Sequence, residues 1–161
     1  MDEISVYDTS RTQGAAMSEP LTTGRICELW VQTYNTQGKP NWTHLFPYYH
    51  DDIIFEDSIQ RIEGKVEFMA MCNRLAGRCE KLNMDIQSIV MEGKQFFFEW
   101  KMVMSFKKWP NTALYGCTRL TLADDNRIIM QRDYFDLWGT ILNGIPLLRK
   151  SYWNFMRRYF G

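Results

Sequence analysis

KQFFFEWKMVMSF, residues 94–106, alternates with a period of two along almost its whole length. Phe96, Phe98, Trp100, Met102, Met104 and Phe106 fall on one side, and Gln95, Phe97, Glu99, Lys101, Val103 and Ser105 on the other. Successive side chains of a strand point to opposite faces, so this spacing predicts a long strand with one bulky apolar face. The same period continues on both sides. LNMDIQSIVMEG (82–93) reads as a strand ending in a Glu92-Gly93 turn. TALYGCTRLTLA (112–123) is a third strand after a turn at Trp109-Pro110-Asn111, and RIIMQRDYFDLW (127–138) a fourth after Asp124-Asp125-Asn126.

Upstream the spacing becomes helical. Ile26, Cys27, Trp30, Val31 and Tyr34 predict a helix over about 19–37, started by Ser18 and Pro20 and ended by Gly38-Lys39-Pro40. NWTHLFPYY (41–49) reads as a short helical piece, and in DDIIFED (51–57) Ile53, Phe55 and Asp57 share one face of a short strand. Gly64 opens a second helix, striped by Val66, Phe68, Met69, Cys72, Leu75 and Cys79. After Gly139 and Gly144-Ile145-Pro146 comes a C-terminal helix. Leu148, Tyr152, Phe155, Met156 and Tyr159 lie on one side of it, and Lys150, Asn154, Arg157 and Arg158 on the other. Helices first and a run of antiparallel strands after them predict an α+β domain. The expected division is a flexible lead-in over 1–17, a domain over 18–140 and a basic, aromatic helix within 141–161.

The 161 residues suit one domain. Aromatics make up 15% and there are ten Met, which predicts a bulky core or an aromatic-walled pocket. The net charge is zero, so nothing global points to nucleic acid. Locally, residues 146–161 hold Arg149, Lys150, Arg157 and Arg158 and no acid. Cys27, Cys72, Cys79 and Cys117 form no CxxC and read as reduced thiols. The polar N-terminus lacks a signal-peptide core and no apolar run is long enough to span a bilayer, so the expected location is cytoplasmic. His44 and His50 with Asp51 and Asp52 do not fit metal-ligand spacing, so no metal and no cofactor is expected.

HDDIIFEDSIQRIEG (50–64) and NRIIMQRDYFDLW (126–138) resemble two stretches of the SnoaL-like branch of the nuclear transport factor 2-like superfamily. The pattern covers about residues 20–140. Ketosteroid isomerases, polyketide cyclases and limonene-type epoxide hydrolases share that scaffold. The resemblance implies a cone: a curved, mixed sheet wrapped around the N-terminal helices, here with an extra C-terminal helix. It also implies an internal cavity and pairing of two copies through the sheet. It would put Tyr34, Phe55, Asp57, Trp100, Met102, Thr118 and Asp133 at the cavity wall. Alternation adds Phe98, Gln131 and Phe135 as ligand contacts, with Ile129 on the same face as Gln131, Asp133 and Phe135.

Ketosteroid isomerase-like proton transfer needs a carboxylate base and oxyanion donors. The resemblance implies Asp57 as base and Tyr34 as donor, but Thr118 stands where a second, protonated Asp belongs. Limonene-type hydrolysis needs two aspartates bridged by an arginine. Asp133 matches one of them, but Trp100-Lys101-Met102 replaces the Arg-x-Asp, so that pair is missing. What remains is Asp57, Asp133 and Tyr34 as candidate catalytic groups around a small, largely apolar molecule. Two carboxylates in an apolar pocket cannot both ionise cheaply, so one should carry a raised pKa. The competing reading is structural, with Asp57 capping its turn and Asp133 pairing with Arg132 or Arg119. The competing function is a non-catalytic ligand-binding or interaction module, contacting a membrane surface through residues 146–161.

Overall fold

The structure, a computed structural model, describes residues 20–34, 38–106, 113–138 and 146–160. The lead-in over 1–17, Ser18, the turn at Trp109-Pro110-Asn111 and Gly139, Gly144 and Ile145 lie outside the described residues. Helix α1 spans Thr23–Tyr34, and a single 3-10 turn at Phe46–Tyr48 leads into strand β1, Tyr49–Glu56. Then come β2 (Arg61–Glu63), α2 (Lys65–Arg78), β3 (Cys79–Glu92), β4 (Gln95–Phe106), β5 (Ala113–Leu122), β6 (Ile128–Phe135) and α3 (Pro146–Tyr159). The fold is α+β, as the order of periodicities requires.

All six strands form one sheet in the order β2-β1-β6-β5-β4-β3. The β1–β6 pair is parallel and the others are antiparallel, so the sheet is mixed. Helix α2 touches β1 and β2 at one end of this sheet and β3 at the other. The helix packs on these ends without comparable contact to the strands between them, so the sheet curls around α2. Register shifts in β3, in the β1–β6 pair and in the β5–β6 pair mark where strands bend.

The apolar side of β4 faces the core as its alternation predicts. Phe96, Phe98 and Trp100 are buried, and Met102, Met104 and Phe106 are half-buried. The Trp30 ring of α1 meets Phe98 edge-on, with centroids 5.4 Å apart. From α2, Phe68 packs against Tyr49 and Phe55 of β1. Gly64 precedes α2 with φ +85, a conformation that favours glycine.

Four details differ from the sequence reading. Cys79, read as the end of the second helix's stripe, opens β3 instead. Helix α1 begins at Thr23 rather than near residue 19, because the Thr22 hydroxyl accepts from the Arg25 N–H at 3.1 Å and supplies the cap. Strand β2 was not predicted, since three residues with one apolar side chain, Ile62, are too few for periodicity. Ile129 does not share a face with Gln131. Pairing runs Thr121–Met130 and then Leu122–Ile128, so Ile129 is the extra residue of a bulge and Ile128 takes the core position.

Candidate functional site

Between the curled sheet and the two helices lies a cavity of about 360 Å³. Helices α1 and α2 contribute Trp30, Tyr34, Phe68, Met71 and Cys72 to its wall. Strand β1 and the turn after it contribute Tyr49, Phe55 and Asp57. The middle of the sheet contributes Trp100, Met102, Thr118, Gln131, Asp133 and Phe135. Every candidate named from the sequence therefore reaches the cavity except Phe98. That side chain points inward, but Trp30 stands against it, so it belongs to the core and not to the wall.

Register explains how the polar groups meet. Thr118 of β5 pairs with Asp133 of β6 on one side and with Phe98 of β4 on the other. The Thr118 hydroxyl donates to Asp133 Oδ1 at 2.7 Å. Its lone pair accepts from the Trp100 indole Nε1–H at 2.9 Å, which leaves its single proton for the carboxylate. From the other side Gln131 Nε2 lies 3.1 Å from Asp133 Oδ1 and 3.2 Å from Oδ2. The Tyr49 hydroxyl donates to Gln131 Oε1 at 2.6 Å and so holds the amide with its NH₂ toward Asp133. Two donor chains, Trp100–Thr118 and Tyr49–Gln131, thus end on one carboxyl group. Oδ1 takes the shorter contacts, and Oδ2 is the more available atom.

Burial raises the Asp133 pKa from 3.8 to about 6. The hydrogen bonds from Thr118 and Gln131 oppose that rise, and the charge of Asp57 adds a smaller upward push. Asp133 does not pair with Arg132 or Arg119. Arg132 lies 3.5 Å from Glu56, and an Arg119 amino group lies 3.7 Å from Met130 Sδ.

Asp57 has a structural task. Its Oδ1 accepts from the N–H groups of Ile59 at 2.7 Å and Gln60 at 2.8 Å, and its own N–H donates to the Gln60 carbonyl. It caps the β1–β2 turn while its side chain also borders the cavity.

The Tyr34 hydroxyl accepts from Trp42 Nε1 at 3.3 Å. Burial keeps the phenol protonated by raising its pKa. Among the described residues that proton has no acceptor, so Tyr34 is a donor available to a molecule in the cavity. Burial likewise pushes the Cys72 thiol up to about 12, which makes it a poor nucleophile. Among the described residues no three His, Cys, Asp or Glu side chains come together as a metal group. The arginines bordering the cavity, Arg74 and Arg78, sit on α2. Neither bridges the two aspartates in any described contact.

The sequence reading missed the supporting parts: Tyr49, Trp100 as a hydrogen-bond donor, and Gly116. A Cβ at Gly116 would lie 2.4 Å from two atoms of the Trp100 ring, so the missing side chain makes room for the indole. A glycine inside a strand pattern was the available signal.

The structure is similar to several solved proteins. One is a limonene epoxide hydrolase-like epoxide hydrolase from Mycobacterium tuberculosis, at 21% identity and a TM-score of 0.54, covering 66% of this chain and 78% of that one. A second, from Catenulispora acidiphila, has a ketosteroid isomerase-like fold and was solved with trimethylamine. It is 19% identical, with a TM-score of 0.64, covering 76% of this chain and 93% of that one. A third is a nuclear transport factor 2-like protein of unknown function from Cytophaga hutchinsonii, at 15% identity and a TM-score of 0.54, covering 75% and 96%. At these identities the likeness shows the fold. Comparison with curated proteins gave no match. The SnoaL-like domain profile matches residues 28–130, from α1 into β6. The chain therefore belongs to the SnoaL-like domain family, whose members include isomerases, cyclases and epoxide hydrolases.

Proposed function

We propose that the cavity binds a small, largely apolar molecule and that Asp133 moves a proton on it. The observation that carries this reading is the Asp133 cluster: a carboxyl group set among aromatic walls, held by two donor chains, with a pKa near 6. An acid or base works best when its pKa lies near the operating pH. The cavity volume, about 360 Å³, falls in the usual range for small-molecule sites, roughly 300–1,000 Å³. Tyr34, a protonated phenol that α1 brings to the same cavity, is the donor for an oxygen that gains charge as the proton leaves.

In this reading Asp57 is secondary. Its Oδ1 is committed to the turn, and its negative charge adds to the upward push on the Asp133 pKa. The chemistry is proton transfer of the isomerase or cyclase type. Among the described residues no arginine contact bridges Asp57 and Asp133 as limonene-type hydrolysis would need.

The test is a thermal-shift screen of steroids, polyketides, terpenoids and fatty acids on the wild type, Asp133→Asn and Asp57→Asn. A ligand at a hundred times its Kd adds about 2.7 kcal/mol, or roughly 5–10 °C in a chain of this size. Each hit is then incubated in D₂O with each protein. Deuterium entering the ligand should slow by about 10²–10⁴-fold in Asp133→Asn and much less in Asp57→Asn. Hits that bind the wild type without exchanging deuterium would leave a non-catalytic binding module.

A further inference from the structure

We propose that α3 docks the domain onto an anionic lipid surface. The helix makes no extended packing with any strand or other helix among the described residues. Outside the helix, the Trp138 ring stacks on Tyr152 with centroids 6.4 Å apart. Leu148, Phe155 and Tyr159 stay exposed on one side, where Tyr152 and Met156 are half-buried, and the exposed rings of Trp153 and Phe160 flank that side against Tyr152 and Phe155. Phe155 is 54% exposed and Tyr159 62%, values at which a helix in water gains little from carrying them. Lys150, Asn154 and Arg157 occupy the opposite side, with Arg149 at one border and Arg158, whose guanidinium lies 5.7 Å from the Tyr159 ring centroid, at the other.

Charge selects the occupant. The helix carries four cations and no acid. A second copy docked there would bring eight cations together with no carboxylate from either helix. An anionic bilayer supplies what the helix lacks: phosphate and carboxylate headgroups for the cations, and an acyl boundary for the aromatic side. Trp and Tyr are suited to that boundary because each has an apolar body and a polar tip. None of the described helices is long and apolar enough to cross a membrane, so α3 would lie along the surface.

The test is co-sedimentation of the full chain with phosphatidylcholine vesicles, with and without phosphatidylserine. Two variants accompany it, Arg157→Gln with Arg158→Gln, and Phe155→Ser with Tyr159→Ser. The wild type should sediment with the anionic vesicles only, and less so as salt is raised. Loss of two cations should weaken binding roughly thirtyfold. Loss of the two aromatics should weaken it by at least as much, while the melting temperature stays put because α3 adds little to the core. Absence of anionic-vesicle binding, or binding that neither variant changes, overturns the proposal. So does a wild-type dimer that the aromatic variant dissociates, if no vesicle binding accompanies it, since α3 would then be covered by a second copy.

Discussion

Gly116→Ala should lower stability by about 3 kcal/mol, or close to 10 °C in melting temperature. The new methyl would sit 2.4 Å from Trp100 Cη2 and Cζ2 and 2.7 Å from the Tyr134 carbonyl oxygen. Neither side yields easily. The carbonyl belongs to β6, which is paired with β5 through Gly116 and Phe135. The indole is buried and tied to Thr118 at 2.9 Å. If Trp100 moves, it moves into the cavity, and Thr118 loses the contact that orients its hydroxyl toward Asp133. The same change at Gly77 supplies the contrast. A Cβ there meets nothing within 4 Å, and the residue sits within α2. Gly77→Ala should therefore be neutral or stabilising, by up to about 1 kcal/mol. Thermal melts of the two variants side by side decide the matter. A Gly116→Ala protein that melts with the wild type would mean the strand pair has slack that the geometry denies.

The second large effect is a pH dependence with an unusual sign. The Asp133 carboxyl, raised from 3.8 to about 6 when folded, binds its proton more tightly in the folded chain than in the unfolded one. Between about pH 4 and pH 6 the folded state is the more protonated of the two, so this group's stabilisation is complete below about pH 4 and is lost as the pH rises through 6. The full shift corresponds to about 3 kcal/mol, and water entering the cavity reduces that. Surface aspartates work the other way. Asp51 and Asp125 beside Arg127, and Asp124 beside Lys94, have lowered pKa values and favour folding as the pH rises. Comparing wild type with Asp133→Asn isolates the buried group, because the surface pairs are common to both. The stability of Asp133→Asn relative to wild type should rise by about 1–3 kcal/mol from pH 4 to pH 8. Urea denaturation at four or five pH values measures it, and a difference that stays flat would place the carboxyl in ordinary solvent. If Asp133 is also the base, the rate of proton exchange on a bound ligand should climb through the same pH range.

Much of the architecture could be read from spacing because the relevant physics is local. The period of two along 94–106 assigns the core face of β4 residue by residue, and its neighbours follow through their turns. The alternation in RDYFD separates Asp133, at the wall, from exposed Tyr134 and Asp136. Local rules end where a bulge intervenes. Ile129 has the composition of a core residue, yet the extra position in β6 gives that place to Ile128.

The site depended on more than spacing. That Asp133 and Thr118 are neighbours is a matter of register between strands, and that Tyr49 reaches Gln131 comes from the parallel β1–β6 pairing, which lets side chains 82 positions apart hydrogen-bond. Asp57 shows the reverse. Its local turn was legible in the sequence, and that turn engages one of its two carboxylate oxygens. Local spacing was enough for the long strands, the existence of the helices, the inward face of β4 and the two candidate aspartates, and it missed β2 and the bulge at Ile129. The contacts around Asp133, and the burial that lifts its pKa to about 6, arose only from segments meeting in space. A carboxyl group's pKa is set by how deeply it is buried and which donors surround it, and both are properties of chain segments that meet only after folding.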